Sequence, residues 1–132
     1  MAQPPPSSVI SLGLDLVEVS RIRVLVEKHG GRFKERMFQP DEIAYCDSCA
    51  DAAIHYAARF AAKEAVVKAL GTGFAEGIGW KDVEVRRAAN GAPSIVLHDG
   101  AARLGEALGV KRVLVTLTHT ADMAAASVVL IG

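Results

Sequence analysis

From Ile10 to Leu16 the chain alternates: Ile10, Leu12, Leu14 and Leu16 share one side, and Ser11, Gly13 and Asp15 share the other. A period of two predicts a half-buried strand that Asp15 ends. Ser20 reads as the cap of a helix with Ile22, Leu25, Val26 and His29 on one face, stopped at Gly30-Gly31. Pro40, followed by Asp41 and Glu42, reads as the first turn of a second, short helix. Residues 52–70 form a long alanine-rich helix, which a left-handed glycine closes at Gly71-Thr72-Gly73.

Beyond that loop, KDVEVRR and SIVL flank Asn90-Gly91 and predict two paired strands. Residues 101–108 suggest a helix. RVLVTLTH and MAAASVVLI suggest a final antiparallel pair joined around Thr120-Ala121-Asp122. The order β-α-α-α-β-β-α-β-β is an α+β layout, with an antiparallel sheet packed against the long helix. The opening MAQPPPSS, residues 1–8, is proline-rich and uncharged and reads as a disordered tail, leaving residues 9–132 as one domain with no internal repeat.

Composition narrows the function classes. Fifteen basic residues balance 15 acidic ones, which argues against general nucleic-acid binding. The longest apolar run, MAAASVVLIG, is about half the length that spans a bilayer as a helix, so no membrane association is expected and the expected location is the cytoplasm. The charge is nonetheless uneven. Arg21, Arg23, Lys28, Arg32, Lys34 and Arg36 face only Glu27 and Glu35, a local excess of about +4 that is either a solvated helix face or a surface steering an acidic partner. Cys46 and Cys49 form a CxxC, but the four histidines supply no second pair at ligand spacing, so two reduced cysteines are expected rather than a structural zinc or a redox pair.

The long helix carries the chemistry. In RFAAKEAVVKALGTG, residues 59–73, Phe60, Glu64 and Lys68 recur at four-residue intervals on one face, with Lys63 beside them. Glu64 and Lys68 could be no more than an intrahelical ion pair. Asp15 offers more: its same-face neighbour is Gly13, so a backbone or ligand can approach closely. If the strand meets the helix, Asp15 and Glu64 make two hard oxygen ligands of the kind that hold Mg²⁺ together with substrate phosphates. Asp15 could equally be a turn or cap residue. Lys63, Lys68 and the backbone of Gly71-Thr72-Gly73 would suit a polyphosphate, although the same glycines close helices for packing reasons alone. His119, ending VTLTHT, could bond a phosphate, act as a base, or simply sit beside a turn. No nucleophile motif occurs, so an attacking group would belong to the substrate.

Together, GLDLVEVSRI at 13–22, RFAAKEAVVKALGTG at 59–73, NGAP at 90–93 and VTLTHTADMAAA at 115–126 resemble the holo-(acyl-carrier-protein) synthases, the small single-module branch of the 4′-phosphopantetheinyl transferases. The resemblance implies the small transferase fold of that family. It also implies transfer of phosphopantetheine from coenzyme A to a serine of apo acyl carrier protein, releasing adenosine 3′,5′-bisphosphate and serving fatty acid biosynthesis. Asp15 and Glu64 then match the Mg²⁺ ligands and Lys68 the phosphate-stabilising lysine, with Lys63 in the same motif. Arg59, Gly71, Thr72, Pro93 and His119 match coenzyme A contacts. Glu64 is the first choice of proton acceptor and His119 the second. Arg21 matches an arginine facing the acidic carrier protein, and the family resemblance implies a homotrimer with its site between subunits. CDSCADAA at 46–53 departs from the family, whose members often carry basic residues there, and Thr116 and Thr118 stand where serine is common. Mg²⁺-dependent hydrolysis of a nucleotide diphosphate, and a non-catalytic module binding coenzyme A or a carrier, are the competing expectations.

Overall fold

A computed structural model describes residues 7–74 and 77–132. Its elements follow the expected order: β1 (Val9–Glu18), α1 (Val19–Met37), α2 (Pro40–Ser48), α3 (Ala52–Leu70), β2 (Val83–Arg87), β3 (Pro93–Leu97), α4 (Asp99–Ala107), β4 (Arg112–His119) and β5 (Met123–Ile131), with a 3₁₀ turn at Trp80–Asp82 before β2. The strands form two antiparallel sheets, β1-β5-β4 and β2-β3. Residues 1–6 of the expected tail lie outside the described part, whereas Ser8 exchanges two backbone hydrogen bonds with Gly132 and so extends the β1 edge.

α3 is the axis of the molecule. Its alanines, Ala57, Ala58, Ala61, Ala62, Ala65 and Ala69, are buried, which lets other elements pack on nearly every side of it. β1 comes closest: a Cβ on Gly13 would stand 1.9 Å from the carbonyl oxygen of Ala65, so only glycine permits this approach. β5 is the middle strand, and its register places Ala126 opposite both Asp15 and Leu117.

Three local expectations differ from the structure. Asp15 does not end its strand; β1 runs three residues further, to Glu18. The face that turns inward is that of Gly13 and Val17, while Leu12, Leu14 and Leu16 are 69%, 67% and 63% exposed, the reverse of what burial of leucine would give. The first helix is not stopped at Gly30-Gly31. Gly30 takes up a non-helical conformation (φ 46°, ψ −122°) as a kink, and the helix resumes to Met37. β2 and β3 pair antiparallel as expected, joined by residues 88–92 with Gly91 at φ 88°.

Candidate active site

The tight fit of Gly13 on Ala65 brings Asp15 over the last turns of α3. There the Lys68 ammonium donates to Asp15 Oδ1 at 2.7 Å and to the Leu14 carbonyl at 3.2 Å. Lys68 thus pairs across to β1 and not along the helix to Glu64. The Glu64 carboxyl is pushed above the ordinary range, first by burial and then by the nearby Asp15 charge, with Lys68 and Arg21 opposing. Asp15, Lys68, Glu64 and Arg21 form a patch of alternating charge. Two carboxylates that feel each other's charge, one already holding a cationic group, are a donor set that fits Mg²⁺. Among the described residues no group of three metal-ligating side chains occurs, so other ligands would come from substrate and water.

Glu64 also stands in the wall of a groove of about 650 Å³. Its remaining walls are Arg21, His29, Arg32 and Arg36 on one hand, and Leu25, Phe33, Met37, Phe60 and Trp80 on the other. The aromatic part is ordered by stacking: Trp80 lies between Phe60 (4.7 Å) and Phe74 (3.8 Å), and the Arg21 guanidinium sits over Phe60 at 5.6 Å. Arg32, Phe33 and Arg36, beyond the Gly30 kink, line the same groove as Arg21. Not all of the basic excess is available there. Arg23 is bound bidentately by Asp51 and Lys34 by Asp47, each contact at 3.0 Å, so the acids that follow α1 in sequence neutralise part of it.

A second cleft, of about 350 Å³, lies elsewhere on α3 and shares no lining residue with the groove. Arg59, Pro93 and His119 all line it, joined by Tyr45, His55, Arg87, Gly91 and Thr116. Arg59 is buried, and its Nε has no hydrogen-bond partner among the described residues. Buried polar groups are nearly always satisfied, so such an orphan points to a missing ligand. Burial, then Arg59, His119 and Arg87, hold His55 below its usual pKa, the mark of a site already rich in positive charge. Tyr45, His55 and Arg87 were not foreseen, since α2, α3 and β2 each contribute one of them. The sequence signal was the Arg86-Arg87 doublet: Arg86 turns back to Glu84 (3.2 Å), leaving its neighbour for the cleft.

Two expectations are corrected. Lys63 is fully buried and cannot meet a ligand: its ammonium is bonded to Glu42 Oε1 (2.8 Å), the Trp80 carbonyl (3.2 Å) and the Val83 carbonyl. The backbone N–H groups of Gly71, Thr72 and Gly73 do not face outward. All three donate to the Val67 carbonyl, at 3.0, 3.3 and 3.4 Å, and the Thr72 hydroxyl donates to Gly73, because the end of α3 needs donors for its free carbonyls. The cysteines play no visible part in either pocket. Cys46 is buried, which pushes its thiol up to about 12, and the Cys49 thiol donates to the Tyr45 carbonyl at 3.3 Å.

Together the carboxylate pair, the basic groove with its apolar floor and the separate cleft of arginines and histidines suit the binding of anionic groups. The family model for the 4′-phosphopantetheinyl transferase superfamily matches residues 11–126, and the chain belongs to that family. It is 46% identical over 122 residues to a holo-[acyl-carrier-protein] synthase of Solibacter usitatus, covering 92% of this chain and 98% of that one. It is 51% identical over 127 residues to the synthase of Anaeromyxobacter sp. strain K, covering 94% and 97%. Among solved structures, the holo-[acyl-carrier-protein] synthase of Neisseria meningitidis superposes with a TM-score of 0.85 at 29% identity, over 93% of this chain and 98% of that one. The Helicobacter pylori synthase in complex with coenzyme A gives 0.80 at 28%, over 90% and 98%.

Proposed function

We propose that this enzyme transfers 4′-phosphopantetheine from coenzyme A to a serine of apo acyl carrier protein, in a Mg²⁺-dependent reaction supplying carrier for fatty acid biosynthesis in the cytoplasm. One observation carries the reading: Glu64 belongs both to the carboxylate pair with Asp15 and to the wall of the basic groove. A carrier docked there brings its serine to the carboxylates.

On this reading Asp15 and Glu64 hold Mg²⁺, which when bound supplies positive charge to the coenzyme's diphosphate oxygens. The serine oxygen bonds to the β-phosphorus, the bond from that phosphorus to the bridging oxygen breaks, and adenosine 3′,5′-bisphosphate departs with that oxygen. Glu64 is the first choice to accept the serine proton, and His119 is the second. Lys68, about half exposed beside Asp15, stabilises the charge of the leaving phosphate. Arg21, Arg32 and Arg36 face the acidic surface of the carrier, and the apolar floor receives its side chains.

The coenzyme's adenosine end belongs with Arg59, Pro93 and His119. Arg59 and Glu64 are five residues apart on α3, which turns them about 140° from one another. A coenzyme reaching both therefore uses Arg59 of one subunit and Glu64 of another. The exposed face of Leu12, Leu14 and Leu16 supplies the apolar surface for that assembly, which we take to be a homotrimer.

Intact-mass spectrometry of apo carrier incubated with the enzyme, coenzyme A and Mg²⁺ tests the proposal. A carrier heavier by one phosphopantetheine is the expected result. Free phosphopantetheine with unmodified carrier would establish hydrolysis instead. Binding without either product would establish a non-catalytic module.

A further inference from the structure

The cleft around Arg59 is lined by two arginines and two histidines, with no carboxylate among the described residues of its lining. Two guanidinium groups in this fold are held by carboxylates: Arg23 by Asp51 and Arg86 by Glu84. Among the described residues neither Arg59 nor Arg87 lies within ion-pair distance of an acid. Both instead lie over the same aromatic ring, with guanidinium carbons 4.3 Å (Arg59) and 5.0 Å (Arg87) from the centroid of Tyr45. The His55 ring meets Tyr45 edge-on at 5.7 Å and His119 at 6.1 Å, continuing the line of rings through the cleft. Space for Arg87 comes from Gly91: a Cβ there would stand 3.1 Å from its guanidinium.

A carboxylate would fix these cations and cancel them. An aromatic face attracts a cation through its quadrupole and leaves the net charge intact. We infer that Tyr45 is a positioning residue for the cleft, holding Arg59 and Arg87 in place without neutralising them so that both remain available to the phosphates of the coenzyme's adenosine end. The inference rests on the reading of this cleft given above, and goes beyond it by assigning the work to the ring of a residue that need not touch the coenzyme.

The ring does the work and the hydroxyl does not, which gives the test its form. Coenzyme A binding is measured by calorimetry, and KM and kcat for carrier modification are measured alongside, on the full-length enzyme and on Tyr45→Phe, Tyr45→Leu, Tyr45→Met and Arg87→Met. Tyr45→Phe retains wild-type affinity and KM. Tyr45→Leu and Tyr45→Met weaken coenzyme A binding about tenfold, two modest cation–π contacts being lost, and raise its KM to match with kcat unchanged. Two non-aromatic replacements guard against one that folds poorly, and the kcat identifies folded enzyme. If Arg87→Met weakens binding while both non-aromatic variants bind normally, the cleft reading stands and the role of Tyr45 is overturned. It is equally overturned if Tyr45→Phe loses as much as Tyr45→Leu. Normal coenzyme A binding by Arg87→Met would remove the cleft reading itself, and this inference with it.

Discussion

Lys63 and Lys68 lie five residues apart on one helix, within one motif, and do opposite work. Lys63 has no exposed surface and spends its charge on Glu42 and two backbone carbonyls, tying α3 to α2, to the turn at Trp80 and to β2. Glu42 completes the knot by accepting from the backbone N–H groups of Gln39 (2.9 Å) and Val85 (3.1 Å). Lys68 is 52% exposed and holds Asp15 by a contact that water screens and a ligand can displace. The same ammonium is architecture where it is dry and open to a ligand where it is wet. Burial, which the residue type does not announce, decides between them.

Substitutions separate the two roles. The largest loss of stability belongs to Lys63→Met, which strands Glu42 and leaves two carbonyls unpaired; about 3–5 kcal/mol should be lost in urea unfolding, with activity falling only as the folded fraction falls. Next comes Gly13→Ala. Its methyl group must push β1 off the Ala65 carbonyl, at about 1–3 kcal/mol, and it displaces Asp15 two residues on, so both the denaturant midpoint and turnover should drop. Lys68→Met should change stability by less than about 1 kcal/mol yet cut turnover by about a hundredfold, with affinity for the carrier unchanged. Smallest is the contrast of two arginines on α1. Arg36→Met should raise the KM for carrier several-fold, whereas Arg23→Met, whose charge Asp51 already answers, should leave that KM within about twofold of wild type.

The order of elements was readable because periodicity, proline and glycine mark their ends one by one; α3 closes at Gly71, with φ 87°, where the sequence placed its cap. The role of Gly13 was also readable, since a missing side chain beside Asp15 implies a close neighbour. What could not be read was decided by partners distant in sequence. Which face of β1 turns inward depends on Gly13 meeting Ala65, and exposure of the leucines follows from that. Lys63 looked like a ligand-binding lysine because Glu42, which buries it, comes from another helix. The Gly71-Thr72-Gly73 amides looked free because the demand of the α3 carbonyls was undercounted. Tyr45 is silent in sequence, and it meets Arg87 only when α2 and β2 pack on α3.

The central claim is that Asp15 and Glu64 hold one divalent ion against the diphosphate of coenzyme A. Titration of Mn²⁺ in the presence of coenzyme A, followed by the electron paramagnetic resonance of the free ion, tests it directly on the wild-type enzyme and on Glu64→Gln, a variant whose fold is checked by its melting curve. The account predicts one tight Mn²⁺ site per coenzyme in the wild type and its loss, together with turnover, in folded Glu64→Gln. Undiminished Mn²⁺ binding by that variant would contradict it.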